Sequence, residues 1–220
     1  MDKVIIIAEA GVNHNGNDEM AFQLVDAAVE AGVDVIKFQT FKTENLVTKY
    51  ASKAEYQLQS INVDESQFAM LKKLELSHDA HRKLIEYCKL KNIEFLSTAF
   101  DMESLEFIVN DLQFKTLKLP SGEITNGPLL LAHAQTGCEL IVSTGMAAMD
   151  EIEEALGVIA FGMLGLKNPS RIAFQDAFCS EEGRKILNEK VTLLHCTTDP
   201  ALSIHGLFVA GLGRVLLLNP

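Results

Sequence analysis

Val35-Ile36-Lys37-Phe38-Gln39-Thr40-Phe41-Lys42 is the stretch on which the reading of this chain turns. It begins as an apolar run, the pattern of a buried strand. A strand has a side-chain period of two, so Lys37 and Gln39 share one face. A lysine on an inward face is costly unless an anion meets it. A bound anion is the simplest resolution. The alternative is an edge strand whose lysine snorkels to solvent. Thr116-Leu117-Lys118-Leu119 repeats the pattern and favours the anion.

Outward from this strand, apolar β-rich runs occupy residues 4–10, 94–100, 116–119, 139–146 and 191–198. Helical stripes fill residues 18–32, 66–75, 77–91, 102–112, 128–135 and 180–189, and Asp150 with Glu153 predicts a capping-box start for one more. Residues 166–178 read as a surface insertion. Residues 41–66 are polar and too long for an ordinary βα connection, so they read as a functional loop. Strands alternating with helices imply a parallel α/β sheet. A doubly wound sheet and a (β/α)8 barrel both fit. Polar residues at several strand ends favour the barrel: Glu9, Lys37 with Gln39, Thr98, Lys118 with Ser121, and Ser143. Barrel enzymes build their sites on that rim, whereas a doubly wound sheet concentrates its site at one switch point. Lys37 and Lys118 fall on the second and fourth strands, which share a layer in a barrel, so two ammonium groups could grip one phosphate.

About six βα units do not close an eight-stranded barrel. Residues 200–220 contain no acid, although the preceding residues hold all 30. The expectation is therefore an incomplete (β/α)8 TIM-barrel domain over residues 1–199 and an atypical tail over 200–220.

A chain of 220 residues with 48% hydrophobic and 22% charged residues can bury a sizeable core. Its net charge of -11 argues against a nucleic-acid partner, yet a local basic pocket can still hold a small anion. No run approaches the roughly 18 apolar residues of a membrane span. Cys88, Cys138, Cys179 and Cys196 form no C-x-x-C motif and read as reduced thiols. With an N-terminal apolar run too short for a signal peptide, they predict a cytoplasmic protein.

Glu9 shares strand parity with Ile5 and Ile7, so it is expected to point inward, paired with Lys37 or holding a substrate hydroxyl. The turns Ser121-Gly122 and Ser143-Thr144-Gly145 would offer hydroxyls and backbone N–H groups to phosphate oxygens, and either could equally be plain turn chemistry. His78 and His81 have metal-compatible i, i+3 spacing, but their charged neighbours predict a solvated helix face. His133 reads the same way. His195 and Cys196 alternate across a strand and make a poor chelate.

Several motifs together resemble one family. They are Ala8-Glu9-Ala10-Gly11-Val12-Asn13-His14-Asn15-Gly16, the Val35 to Lys42 stretch, Lys53-Ala54-Glu55-Tyr56-Gln57, Leu96-Ser97-Thr98-Ala99-Phe100-Asp101, Lys118-Leu119-Pro120-Ser121-Gly122-Glu123, Ile141-Val142-Ser143-Thr144-Gly145-Met146 and Leu194-His195-Cys196-Thr197-Thr198. In order and in kind they are similar to the sialic acid synthases, a group that includes N-acetylneuraminate, legionaminic acid and pseudaminic acid synthases. The resemblance implies a barrel enzyme that condenses phosphoenolpyruvate with an N-acetylated hexose of the N-acetylmannosamine type. The products would be a nine-carbon 2-keto acid and phosphate. It implies that Lys37, Thr98, Lys118, Ser121 and Ser143 hold phosphoenolpyruvate, and that Gln39 contacts the sugar. Glu9 would be the buried acid near the reacting centre, and Thr198 would stand beside the ligand. It also implies a divalent metal, manganese or magnesium, and a homodimer.

The chain departs from the family pattern after Asp199, where Pro200 follows directly and the expected tyrosine is missing. The family's metal-binding histidines and its antifreeze-like domain are expected to lie beyond this sequence, which a frame slip after Asp199 would explain. Two alternatives stay open. One is a non-catalytic fragment that at most binds phosphoenolpyruvate. The other is an aldolase barrel that forms a Schiff base on an inward lysine.

Overall fold

The computed structural model describes residues 4–48 and 66–196. The chain forms two compact units, Met1–Ile108 and Val109–Pro220.

The first unit contains β1 (Ile7–Gly11), α1 (Asp18–Glu30), β2 (Val35–Thr40), the short α2 (Thr43–Leu46), α3 (Gln67–Leu74), α4 (His78–Lys91), β3 (Glu94–Ala99) and α5 (Met102–Glu106). β2 pairs in parallel with both β1 and β3. Polar side chains set the helix starts: the N-cap side chains of Asn17, Ser66, Ser77 and Asp101 each accept a backbone N–H from the first turn. Asn92 closes α4 in the left-handed region at φ 58°. β2 is covered on both faces, as a central parallel strand should be. Phe38 stacks on Phe95 with ring centroids 5.4 Å apart, and Val25, Leu84 and Ile36 are buried in the same unit.

The second unit contains β4 (Thr116–Leu119), a 3-10 turn (Ser121–Glu123), α6 (Gly127–Gln135), β5 (Glu139–Ser143), α7 (Met149–Met163), α8 (Arg171–Cys179), α9 (Glu181–Lys190) and β6 (Val191–Leu194). β5 pairs in parallel with β4 and with β6. Residues 155–162 of α7 are buried throughout, so this helix is a core element.

Several expectations are corrected. β1 begins at Ile7 rather than at residue 4, and Val4, Ile5 and Ile6 are exposed. The stripe over residues 102–112 splits into α5 and a π-helical turn, Phe107–Asp111. The supposed insertion contains α8, which packs on α7: Phe174 meets Phe161 edge to face at 5.0 Å. Gly157 permits that approach, because a Cβ there would lie 2.8 Å from the Phe174 carbonyl oxygen. α7 starts before Asp150. Glu151 reaches back to accept the Ala148 N–H at 2.8 Å, so the Asp150–Glu153 box does not form.

The histidine readings are corrected most sharply. His81 and His133 are fully buried, not solvated. His81 falls in step with Leu84 and Cys88 on the buried stripe of α4, and His133 with Leu129 and Leu130 on that of α6. Each ring satisfies Nδ1 against the carbonyl four residues back, Ser77 and Leu129 respectively, at 2.9 Å. The ring can then pack as an aromatic. Burial pushes both imidazoles down from 6.5 to about 4.

Candidate functional site

The first unit gathers Glu9, Lys37, Gln39 and Thr98 at neighbouring strand ends. Register does this: Glu9 lies opposite Lys37, and Gln39 opposite Thr98. Paired residues in a parallel sheet share a face, so strand parity places the predicted residues together. Lys37 is 8% exposed and Thr98 1%. The Lys37 ammonium donates to Thr98 Oγ1 at 3.3 Å and forms an ion pair with Glu9. The anion that meets Lys37 is thus a carboxylate of the protein itself. Gly11, at φ +53°, turns the chain directly over this group. A Cβ there would meet Glu9 Oε1 at 3.3 Å and Gln39 Nε2 at 3.4 Å.

Glu9 is not the buried acid that parity predicted. Its side chain is 55% exposed. The β1–β2 register shifts between Glu9 and Gly11, and that irregularity frees the carboxylate to reach water while it still touches Lys37. Because one partner stays half in water, the pair is worth far less than a fully buried one. Glu9→Gln is expected to cost about 1 kcal/mol. Urea denaturation at pH 7.5 checks this. A loss above about 3 kcal/mol would mean that the carboxylate behaves as buried.

In the second unit Lys118 is 7% exposed, and its ammonium donates to the Leu119 carbonyl at 2.8 Å. Ser121 opens the 3-10 turn directly after β4 and is half-buried. Ser143 ends β5 and is 8% exposed. The neighbouring Thr144 hydroxyl is committed to structure, donating to the Leu194 carbonyl at 2.9 Å. Thr198 lies outside the described residues, as do Tyr56, Gln57 and the 200–220 tail.

Sequence reasoning quoted Asp101 only within a motif and missed its role. Asp101 is 7% exposed and accepts four hydrogen bonds: from the Lys42 N–H at 2.9 Å, Asn45 Nδ2 at 3.2 Å, the Ser104 N–H at 3.0 Å and the Ser104 hydroxyl at 2.8 Å. It caps α5 and fixes the chain just beyond β2. An Asp three residues before Ser104 was the available signal.

Among the described residues, no cluster of three or more His, Cys, Asp or Glu could hold a metal ion. His81 has both ring nitrogens engaged, and His133 has Nδ1 engaged. The described residues therefore do not fit the divalent metal that the resemblance implies. A cavity of about 480 Å³ in the second unit, lined by Leu130, Val158, Phe174 and Phe178, includes none of the candidate site residues.

Parallel βα units with polar side chains at their strand ends define an α/β protein of the (β/α)8 TIM-barrel type, here incomplete. Within that class, the model of the NeuB family matches residues 24–207, and the chain belongs to this family. It is 45% identical over 199 residues to an N,N'-diacetyllegionaminic acid synthase from Campylobacter jejuni, covering 90% of this chain and 53% of that one. It is 49% identical over 154 residues to the enzyme of the same name from Legionella pneumophila, covering 70% and 43%. Among solved structures, the spore coat polysaccharide biosynthesis protein SpsE from Bacillus subtilis aligns with a TM-score of 0.61 at 30% identity, covering 89% of this chain and 44% of that one. The chain spans about half the length of these curated relatives. The resemblance to sialic-type acid synthases is borne out at the level of the family.

Proposed function

We propose that this chain carries the phosphoenolpyruvate-binding part of a sialic-type acid synthase. The reaction would join phosphoenolpyruvate to an N-acetylated hexose, releasing phosphate and a nine-carbon 2-keto acid. The observation that carries the proposal is the buried Lys37 ammonium, aimed by Thr98 at the C-terminal end of β2. An ammonium with so little water is a strong site for a phosphate or carboxylate. In this reading Lys37, Thr98, Lys118, Ser121 and Ser143 contact phosphoenolpyruvate. Gln39 faces the sugar, and Thr198 stands beside the ligand. Glu9 serves as the counter-ion that the incoming anion displaces from Lys37. The described residues supply no ligand set for manganese or magnesium, so the work assigned to them is binding and orientation. A homodimer and a cytoplasmic location belong to the same proposal. Among the described residues no helix is long and apolar enough to cross a membrane.

Calorimetric titration with phosphoenolpyruvate tests the reading. Binding is expected, and Lys37→Met should weaken it at least about tenfold, the loss of one hydrogen bond to a charged group. A flat titration of the folded wild-type protein overturns it. Adding N-acetylmannosamine and manganese then separates synthase from binding module. Phosphate release supports the synthase, and binding without release supports the non-catalytic reading.

A further inference from the structure

Behind the strand-end lysine, on the opposite face of β2 and β3, three buried polar side chains form one hydrogen-bonded chain. His81 Nδ1 lies 2.9 Å from the Ser77 carbonyl oxygen. Thr40 Oγ1 lies 2.7 Å from His81 Nε2 and 2.7 Å from Ser97 Oγ. Thr40 is 3% exposed, and His81 and Ser97 are fully buried. The wall around them is aromatic: His81 meets Phe95 and Phe107 edge to face at 6.2 and 5.5 Å.

Chemistry fixes the direction of every bond. A carbonyl only accepts, so His81 Nδ1 carries a proton. Burial holds the ring neutral down to about pH 4, so Nε2 is bare and accepts the Thr40 hydroxyl. The Thr40 oxygen then accepts from Ser97. The donors run Ser97 to Thr40 to His81 to Ser77, with no alternative tautomer that satisfies all four groups.

Thr40 follows Gln39 directly, and Ser97 precedes Thr98 directly. The Thr40–Ser97 bond therefore ties β2 to β3 at the residues whose neighbours form the candidate site. On the site face, Thr98 Oγ1 receives the Lys37 ammonium. Three hydroxyl or imidazole groups are costly against an aromatic wall unless all are paired, and a fully paired network admits one arrangement.

We propose that Thr40, Ser97 and His81 are positioning residues that hold the Thr98 hydroxyl against Lys37 and so aim its ammonium at an anionic ligand. This rests on the anion-binding reading of Lys37 given above. Thr40→Val keeps the shape and removes the hydroxyl, and Thr40→Ser keeps the hydroxyl. Two readouts apply to both: phosphoenolpyruvate affinity by calorimetry, and the Lys37 ammonium resonance by 15N NMR without ligand. Thr40→Val should weaken binding about tenfold, equivalent to one buried hydrogen bond, and shift the Lys37 resonance. Thr40→Ser should restore both. Ser97→Ala leaves the Thr40–His81 bond in place and should move the resonance in the same direction, which keeps the test valid if Thr40→Val does not fold. If the wild-type protein binds no phosphoenolpyruvate, the proposed function fails and the Lys37 resonance alone decides the positioning role. A resonance unmoved by Thr40→Val and Ser97→Ala, or no recovery in Thr40→Ser, overturns it.

Discussion

Acidification from pH 7.5 to pH 4.5 is expected to cost this protein about 5 kcal/mol of stability, and two buried histidines account for it. His81 and His133 titrate near 6.5 when unfolded and near 4 when folded, because burial penalises the imidazolium. Between those values the unfolded chain binds protons that the folded chain refuses, so stability falls as pH falls. The contribution is complete above about pH 6.5 and exhausted near pH 4. A depression of this size corresponds to about 3 kcal/mol per histidine, or about 6 kcal/mol together, against a typical total of about 5–15 kcal/mol. His14 adds in the same direction, its imidazole lowered by burial and partly rescued by Asp18. Two carboxylates are also held below their ordinary range, Asp26 by hydrogen bonds from Lys91 and Tyr87 and Glu44 by one from Lys72. Urea denaturation at half-unit steps from pH 7.5 to 4.5 measures the slope. His81→Gln with His133→Gln should flatten it. A wild-type protein that loses less than about 1 kcal/mol across this range would show that the two rings are not buried as described.

The same two rings show where sequence reading reached its limit. His81 stands beside Arg82 and Lys83, and those charges suggest a solvated face. The stripe through His81, Leu84 and Cys88 was equally present, but a single polar residue in a stripe reads as an interruption until its partner is known. That partner, Thr40, lies 41 residues away. Local periodicity was legible: β4 occupies the predicted residues 116–119, and β2 lies within the stretch that opens as an apolar run at Val35. That Lys37 and Gln39 share a face also followed from parity, whereas the reach of Lys37 to Thr98 depends on the β2–β3 register, which neither strand reveals alone. Glu9 did not follow, since a register shift at the end of β1 is invisible to a rule that assumes regular alternation. α8 was missed for a related reason. Its mixed composition marks no strong stripe, and what holds it is the close approach that Gly157 permits.

Gly16→Ala is expected to destabilise the protein by about 2–4 kcal/mol, while Gly32→Ala costs about 1 kcal/mol. Both glycines are left-handed, at φ +73° and +71°, so an alanine suffers similar backbone strain at either position. Only their surroundings differ. A Cβ on Gly32 meets nothing within 4 Å, whereas a Cβ on Gly16 would lie 2.0 Å from the Lys73 carbonyl oxygen. That atom belongs to the backbone of α3, so no side chain can rotate away and the helix must shift. The shift has a defined route toward the candidate site. Lys72, next in α3, bridges Glu44 and Glu75 at 3.0 Å each. Glu75 in turn accepts the Thr43 N–H at 2.7 Å, at the start of α2. Moving α3 therefore loosens the segment that directly follows β2. Urea denaturation of the two variants gives the stability difference, and hydrogen exchange gives its route: Thr43 should lose protection in Gly16→Ala and keep it in Gly32→Ala. Equal costs for the two alanines would mean that φ alone governs both positions and that α3 does not rest on the turn after β1.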